Sequence, residues 1–433
     1  MSAEKPREIA VRILRQHADK GGFIDDLLEQ GLANAPLETA DRRLVQELVF
    51  GTVRWQGTLD HLIRQKTAGR TQKQALQILL RLGLYQIFWL DRIPEHAAVH
   101  ETVEMAKSLG FGPQAGFVNA VLRGYLRERE GTIAELARLR QQQPDVGYSH
   151  PAWLCHRWET RWGSDGLRAL LEWNNRPPQM YARLNTIKTS AEQLARQWDA
   201  EGVLFTPRQW DWAPQNVSFE LRSHPALASL PSFQQGLFYV QDPSTLLAVK
   251  ALDPKPGEAI LDFCAAPGGK TTYIAQLMEN RGYIMAQDTD VRRRNMVREN
   301  CDRLGVRIVM LSRATTTMNF DLSEPFDRVL VDAPCSNTGV MRRRVDLRWR
   351  VQPAELKRLA RMQLQLLGKA ATQVKPGGRL VYSTCSLEPE ENEEIVQNFL
   401  DEDKTYRLEN ERMLLPFRDG VDGAYVAQMA RHP

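Results

Sequence analysis

The chain has 433 residues, which at about 150 per domain predicts two or three domains, each large enough to bury its own core. With 42% hydrophobic and 25% charged residues it has the balance of an ordinary globular protein, and fibrous, collagenous and disulfide-stapled miniature folds are excluded. Net charge is only +4, from 57 basic and 53 acidic residues, so the placement of charge along the chain matters more than its sum. No apolar run approaches the roughly 20 residues of a membrane span, and the opening stretch turns charged too early for a secretory signal. Five scattered cysteines, Cys155, Cys264, Cys301, Cys335 and Cys385, suit a reducing compartment in which at least some stay free thiols. A cytoplasmic protein with no membrane partner is expected, acting as a monomer.

From Pro6 to about Arg140, apolar residues recur at helical spacing. Leu44, Leu48, Val49 and Val53 make one stripe; Leu76, Leu79, Leu80, Leu84 and Ile87 a second; Phe117, Val118, Val121 and Leu122 a third. Each is the pattern of a helix with one buried face. Thr39 and Thr71 stand where N-caps belong, and Gly69, Pro94 and the run Gly110 to Pro113 punctuate the stripes. Residues 1–140 are thus expected to form an all-α bundle.

From 141 to 232 the texture changes. Seven of the ten tryptophans fall here, Trp153, Trp158, Trp162, Trp173, Trp198, Trp210 and Trp212, among several prolines. A small mixed α/β module is expected. Tryptophan can stack on bases, although core filling is the commoner use in so small a module.

From 233 to 433, β-rich runs alternate with helical stretches. Ile260–Phe263, Tyr283–Ala286, Val306–Val309, Arg328–Val331 and Arg379–Tyr382 are the predicted strands, with helices over Thr271–Glu279 and Arg292–Leu304. This alternation specifies a parallel sheet covered on both faces, and ligands of such sheets bind beyond the carboxyl ends of the strands.

The chemistry-bearing residues sit at those ends. The run Asp262 to Thr271, with Cys264, Ala265, Ala266, Pro267, Gly268, Gly269 and Lys270 between them, leaves a strand and opens a helix. Small residues there let backbone N–H groups approach a ligand; a tight turn alone is the competing explanation. Cys264 occupies the place where a triphosphate loop needs glycine, and the G-x-G-x-x-G dinucleotide pattern is missing. Asp288 ends the next predicted strand, about 20 residues on, where a carboxylate can accept both ribose hydroxyls; Asp290 competes for the role. Cys335, preceded by Asp332-Ala-Pro and followed by Ser336, and Cys385, between Thr384 and Ser386, follow two further apolar strands. Buried cysteines are usually inert, but two at strand ends, each followed by serine, favour chemistry over packing. With no C-x-x-C spacing and no histidine near either, zinc is not expected.

Taken in this order, D-x-CAAPGGKTT, DAPCS and STCS resemble the RNA cytosine-C5 methyltransferases that use S-adenosylmethionine, and the resemblance covers the C-terminal 200 or so residues. Arg43–Arg54, Leu82–Ile87, Ile93–Glu104 and Val118–Arg123 resemble the NusB-type RNA-binding domain, and Arg183–Asn185 and Val240–Ser244 resemble the family's lead-in to its catalytic domain. The layout is similar to that of the enzymes acting on small-subunit ribosomal RNA. The resemblance implies a NusB-like bundle over 1–140, an α/β linking module over 141–232 and a Rossmann-like class I methyltransferase domain over 233–433. It implies Cys385 as the nucleophile adding to the cytosine ring, Cys335 as the residue that helps release the product, and Asp332 contacting both cofactor and base. Residues Cys264 to Lys270 would cradle the methionine part of S-adenosylmethionine, with Asp288 on its ribose.

A target base must leave its stack to be reached, which calls for a phosphate-gripping surface. Arg342, Arg343, Arg344 and Arg348 with Trp349 form a basic, aromatic run directly after the Cys335 motif, expected to contact RNA, although such a run is commonly a solvated helix face. The acidic stretch Glu388 to Asp403 is expected to be a solvated helix. Relatives in the resembled family commonly carry an acid near adenine where this chain has Ser312–Arg313–Ala314. Transfer RNA as substrate, or a non-catalytic ribosome-assembly factor, are the alternative functions.

Overall fold

A computed structural model describes residues 5–33, 35–313 and 325–433. They group into two compact units: Met1–Arg176 with Met341–Arg350, and Pro177–Val340 with Val351–Pro433. Among the described residues, no helix is long and apolar enough to cross a membrane.

The described residues of the first unit form helices joined by turns, with no strand among them. The stripes read from the sequence are the buried faces of helices Thr39–Arg54, Gln74–Trp89 and Ala115–Arg127, with Leu44 and Phe117 half-buried at the edge. Gly51 lets two of these helices close up: a Cβ there would lie 1.9 Å from the Tyr85 ring. Neither expected threonine cap forms. Thr39 is the first helical residue, after an N-cap Glu38 with no side-chain bond, and the second stripe's helix starts at Gln74, beyond Thr71. The helical unit also runs past residue 140, through Ala152–Asn175, which is interrupted at Gly163 (φ 70°).

The unit takes in the segment Met341–Arg350, and this overturns part of the expected RNA surface. Val345 joins the bundle core. Arg348 is fully buried and donates to the carbonyl oxygens of Arg54 (3.2 Å), Ser149 (3.3 Å) and Asn174 (3.1 Å) and to Asn175 Oδ1 (2.8 Å). Arg342 is buried over the Trp173 ring, 4.0 Å from its centroid. Trp349 packs on the core and donates its indole N–H to Val53 O at 2.9 Å. Arg342 and Arg348 are therefore structural, as is the Trp349 indole N–H, because they lie inside the unit, Arg342 over an aromatic face and the Arg348 terminal nitrogens and the indole N–H on protein oxygens. Arg343 is half-buried and Arg344 exposed.

The second unit holds two sheets. In the smaller, antiparallel one, β1 (Met180–Leu184), β2 (Leu204–Arg208), β3 (Ser218–Ser223) and β4 (Phe238–Val240) lie in the order β2-β3-β1-β4. Trp198 fills its core against Phe205, Phe219 and Phe238, with ring centroids 5.0, 5.4 and 5.2 Å away. Core filling is also the use of Trp158, Trp173 and Trp212, which are buried; Trp153, Trp162 and Trp210 are half-buried.

The larger sheet contains β5 (Ala259–Phe263), β6 (Tyr283–Asp288), β7 (Val309–Arg313), β8 (Phe326–Asp332), β9 (Val374–Thr384), β10 (Tyr406–Leu414) and β11 (Ala424–Arg431) in the order β10-β11-β9-β8-β5-β6-β7. Strands β5 to β9 pair in parallel, and β10 and β11 join as an antiparallel edge. The third predicted strand lies three residues later than expected. Gly305 caps helix Val291–Leu304 in the left-handed conformation and the Val306 N–H returns to Cys301 O (2.9 Å), so Val306 belongs to the turn rather than the strand. Strand order reverses between β5 and β8, and the crevice at such a reversal is the usual ligand site. Phe263 pairs with both Gln287 and Val331, and Asp332 with Ser383, so the ends of β5, β6, β8 and β9 open together.

Candidate active site

The next-to-last residue of strand β5 is Asp262, which is fully buried and accepts the Thr271 hydroxyl at 2.6 Å. Burial pushes its carboxyl up to about 7. The chain turns through Cys264 in the left-handed region (φ 67°) and Gly268 (φ 100°) and enters helix Gly269–Leu277. Gly268 is needed twice: its φ suits glycine, and a Cβ would stand 3.2 Å from Val297. The turn is pinned by Ala265 N–H to Gln287 O (2.7 Å) and Gly268 N–H to Ala265 O (2.8 Å). Burial raises the Cys264 thiol, which stays protonated. Arg183 of β1 braces the helix start, donating to Gly269 O (2.6 Å) and Thr272 Oγ1 (3.0 Å). This gives a physical use to a residue the sequence marked only by resemblance.

Asp288, the last residue of β6, and Asp290, two residues on, have different surroundings. Asp288 is buried, and its carboxylate accepts the N–H of Asp290 (3.1 Å) and of Ala266 (3.4 Å), with Arg293 Nη1 3.5 Å away. Asp290 is exposed and caps helix Val291–Leu304, accepting the N–H of Arg292 (2.7 Å) and Arg293 (3.1 Å). Asp290 is thus spent on the helix, while Asp288 faces the glycine turn. Ser312 and Arg313 end β7; Ala314 lies outside the described residues.

The two motif cysteines meet. Cys335 Sγ and Cys385 Sγ are 3.4 Å apart, both half-exposed, and the Cys385 thiol donates to Asn337 Oδ1 at 2.9 Å. Beside them, Lys270 Nζ lies 2.6 Å from Asp332 Oδ2, and the Ser383 hydroxyl donates to Asp332 Oδ1 at 2.9 Å. Burial opposes the Lys270 charge, but Asp332, and after it Cys385, outweigh that and hold the ammonium above the usual lysine range. One carboxylate thus connects the glycine turn, the DAPCS turn and the STCS turn.

Beneath them lie two acids that the sequence does not mark as buried. Glu388 and Glu391 are buried, not on a solvated helix; helix Glu393–Glu402 starts only after them. Glu391 takes hydrogen bonds from Ser336, Ser386 and Gln363. The one signal available was proximity, since Glu391 follows Ser386 by five residues.

A seven-stranded sheet of this order, with a glycine turn at the strand reversal and an acid ending the next strand, defines a Rossmann-like methyltransferase. The chain belongs to the 16S rRNA methyltransferase RsmB/F family: residues 249–430 match that family, residues 4–127 the NusB family, and residues 150–219 the RsmF/B-like ferredoxin-like domain. It is 34% identical to the probable ribosomal RNA small subunit methyltransferase B of Bacillus subtilis, over 100% of both chains. It is 37% identical to the corresponding Synechocystis protein, over 93% of this chain and 90% of that one. A solved methyltransferase homolog from Pyrococcus horikoshii is 33% identical, with a TM-score of 0.59, covering 66% of this chain and 97% of its own.

Proposed function

We propose that the chain transfers a methyl group from S-adenosylmethionine to C5 of a cytosine in small-subunit ribosomal RNA, through a transient bond between Cys385 and C6. The observation that carries this reading is the pair of sulfurs 3.4 Å apart next to the Lys270–Asp332 ion pair. The turn suits the cofactor: Asp288 has carboxylate lone pairs beyond its two backbone donors, and buried Asp262 Oδ1 has no hydrogen-bond partner. Cys264 to Lys270 would hold the methionine part, Asp288 the ribose, and Asp332 would contact cofactor and base. Bound there, S-adenosylmethionine supplies an electrophilic methyl group.

Cytosine C5 is too poor a nucleophile to take that methyl unaided. Addition of the Cys385 sulfur to C6 moves the C5–C6 π electrons onto C5, and covalent catalysis divides one hard step into two easier ones. Asp332, oriented by Lys270 and Ser383, shares a proton with the pyrimidine edge at N3 and stabilises the adduct. Once C5 carries the methyl, its proton passes to a solvent base, the C5–H electrons reform the C5–C6 double bond, and the S–C6 pair returns to Cys385 as thiolate, with Cys335 assisting release. With Arg342 and Arg348 buried, Arg343 and Arg344 are the members of the basic run proposed to meet RNA. The reading takes the chain as a cytoplasmic monomer.

Bisulfite sequencing of 16S rRNA, incubated with the protein and S-adenosylmethionine, tests this. One newly protected cytosine is expected. Protection confined to transfer RNA would move the substrate, and no protection together with no calorimetric binding of S-adenosylmethionine would leave a non-catalytic assembly factor.

A further inference from the structure

Glu391 is fully buried beneath both cysteine turns. Its carboxylate accepts the backbone N–H (2.8 Å) and the hydroxyl of Ser336, the residue after Cys335, and the hydroxyl of Ser386, the residue after Cys385, at 2.5 Å. Gln363 adds a second hold on the Cys335 turn, donating to Glu391 Oε1 at 3.0 Å and to Pro334 O at 2.9 Å. The Glu391 backbone is itself fixed, its carbonyl accepting the Tyr382 hydroxyl at 2.7 Å. Charge-assisted bonds of this kind are short and strong, and a buried carboxylate is tolerated only when it is so fully bonded; burial raises the Glu391 carboxyl above its ordinary value, and the bonds from Ser336, Ser386 and Gln363 oppose that rise and favour the charged form.

We propose that Glu391 is a positioning residue for methyl transfer, resting on the roles given above for Cys385 and Cys335: its carboxylate sets the spacing of the two sulfurs and puts negative charge beside Cys335, so that Cys335 keeps its proton while Cys385 bonds to the base. Two sulfurs at 3.4 Å are chemically alike, and their division of labour needs an asymmetric neighbour. The Cys335 thiol is held well above its ordinary value by its hydrogen bond with Cys385, by burial, by the charge of Cys385 and then by that of Glu391. Of the other titratable groups close by, Tyr382 is kept protonated by burial, and Lys270 is engaged with Asp332 and Cys385.

The test compares Glu391→Gln, which keeps the shape and removes the charge, with Ser386→Ala, which keeps the charge and removes one arm. Alkylation of the full chain by iodoacetamide is followed by mass spectrometry as a function of pH. In Glu391→Gln the Cys335 profile is expected to move down by about one pH unit, about a tenfold faster reaction at a fixed pH below its midpoint, with kcat lowered and KM for rRNA unchanged. In Ser386→Ala the Cys335 profile stays while the covalent adduct forms several-fold more slowly. Wild-type profile and kcat in a folded Glu391→Gln protein overturn the proposal. Should that variant not fold, wild-type adduct formation in Ser386→Ala overturns it. Failure of the unaltered chain to methylate or bind rRNA covalently would overturn the reaction itself; the alkylation profile needs no RNA and reports on Glu391 separately.

Discussion

Asp262 shows how burial, with the charges of Asp332 and Asp288 adding to it, gives a carboxylate a titration that solution chemistry would not. Its folded carboxyl keeps a proton up to about pH 7, whereas an ordinary one ionises near 3.8. The folded state therefore binds more protons than the unfolded state across that window, and stability falls as pH rises through it, with a slope approaching about 1.4 kcal/mol per pH unit. Asp262→Asn is expected to remove this slope, so its melting temperature relative to wild type should climb between mildly acidic and neutral pH; a constant difference would contradict the assignment. Asp262 was legible as the start of a motif, and Cys335, Cys385 and Asp332 were legible as residues that apolar strands deliver to one crevice. Glu391 was not. A run of acids is usually solvated, and its burial depends on serines and a glutamine, Ser336, Ser386 and Gln363, that only the fold brings to it.

Where strand β6 passes to the helix after it, two aspartates do different work, and their substitution separates cofactor binding from helix stability. Asp290→Ala removes the N-cap of Val291–Leu304 and should cost about 1 kcal/mol of stability while leaving calorimetric affinity for S-adenosylmethionine within a factor of about 3. Asp288→Ala should abolish measurable affinity while the fold is kept. The opposite pattern would transfer the ribose role to Asp290. Periodicity was enough to find β5, β6, β8 and β9, each a compact apolar run. It misplaced β7 because Val306 and Ile308 are apolar yet lie in the connection that Gly305 opens after the helix. It also passed over β10, whose exposed face reads Arg407, Glu409 and Glu411, since an edge strand carries little of the alternation that marks a buried one.

For the molecule as a whole, the helical unit borrows residues 341–350 from the middle of the chain, and linear sequence had no means to show it. Five basic residues around a tryptophan look alike whether they face phosphate or helix carbonyls. The deciding feature is that Val345 and Leu347 interrupt the basic run at positions that need a core. Arg348→Ala would leave several buried carbonyl oxygens without a donor and should destabilise the full chain by about 3 kcal/mol, at about 1–3 kcal/mol per orphaned group, read as a lowered melting temperature. Arg344→Ala should change stability by less than about 0.5 kcal/mol and instead flatten the salt dependence of rRNA binding by about one unit of slope. Equal melting shifts for both variants would contradict this division.

What most directly tests the central claim is the identity of the atom that bonds to RNA. The Cys335→Ala protein, incubated with rRNA and S-adenosylmethionine, denatured and digested, is predicted to yield one RNA-linked peptide in which mass spectrometry places the nucleotide on Cys385, and Cys385→Ala should yield none. A linkage found on Cys335 in the wild-type chain, or methylated RNA produced by the Cys385→Ala protein, would contradict it.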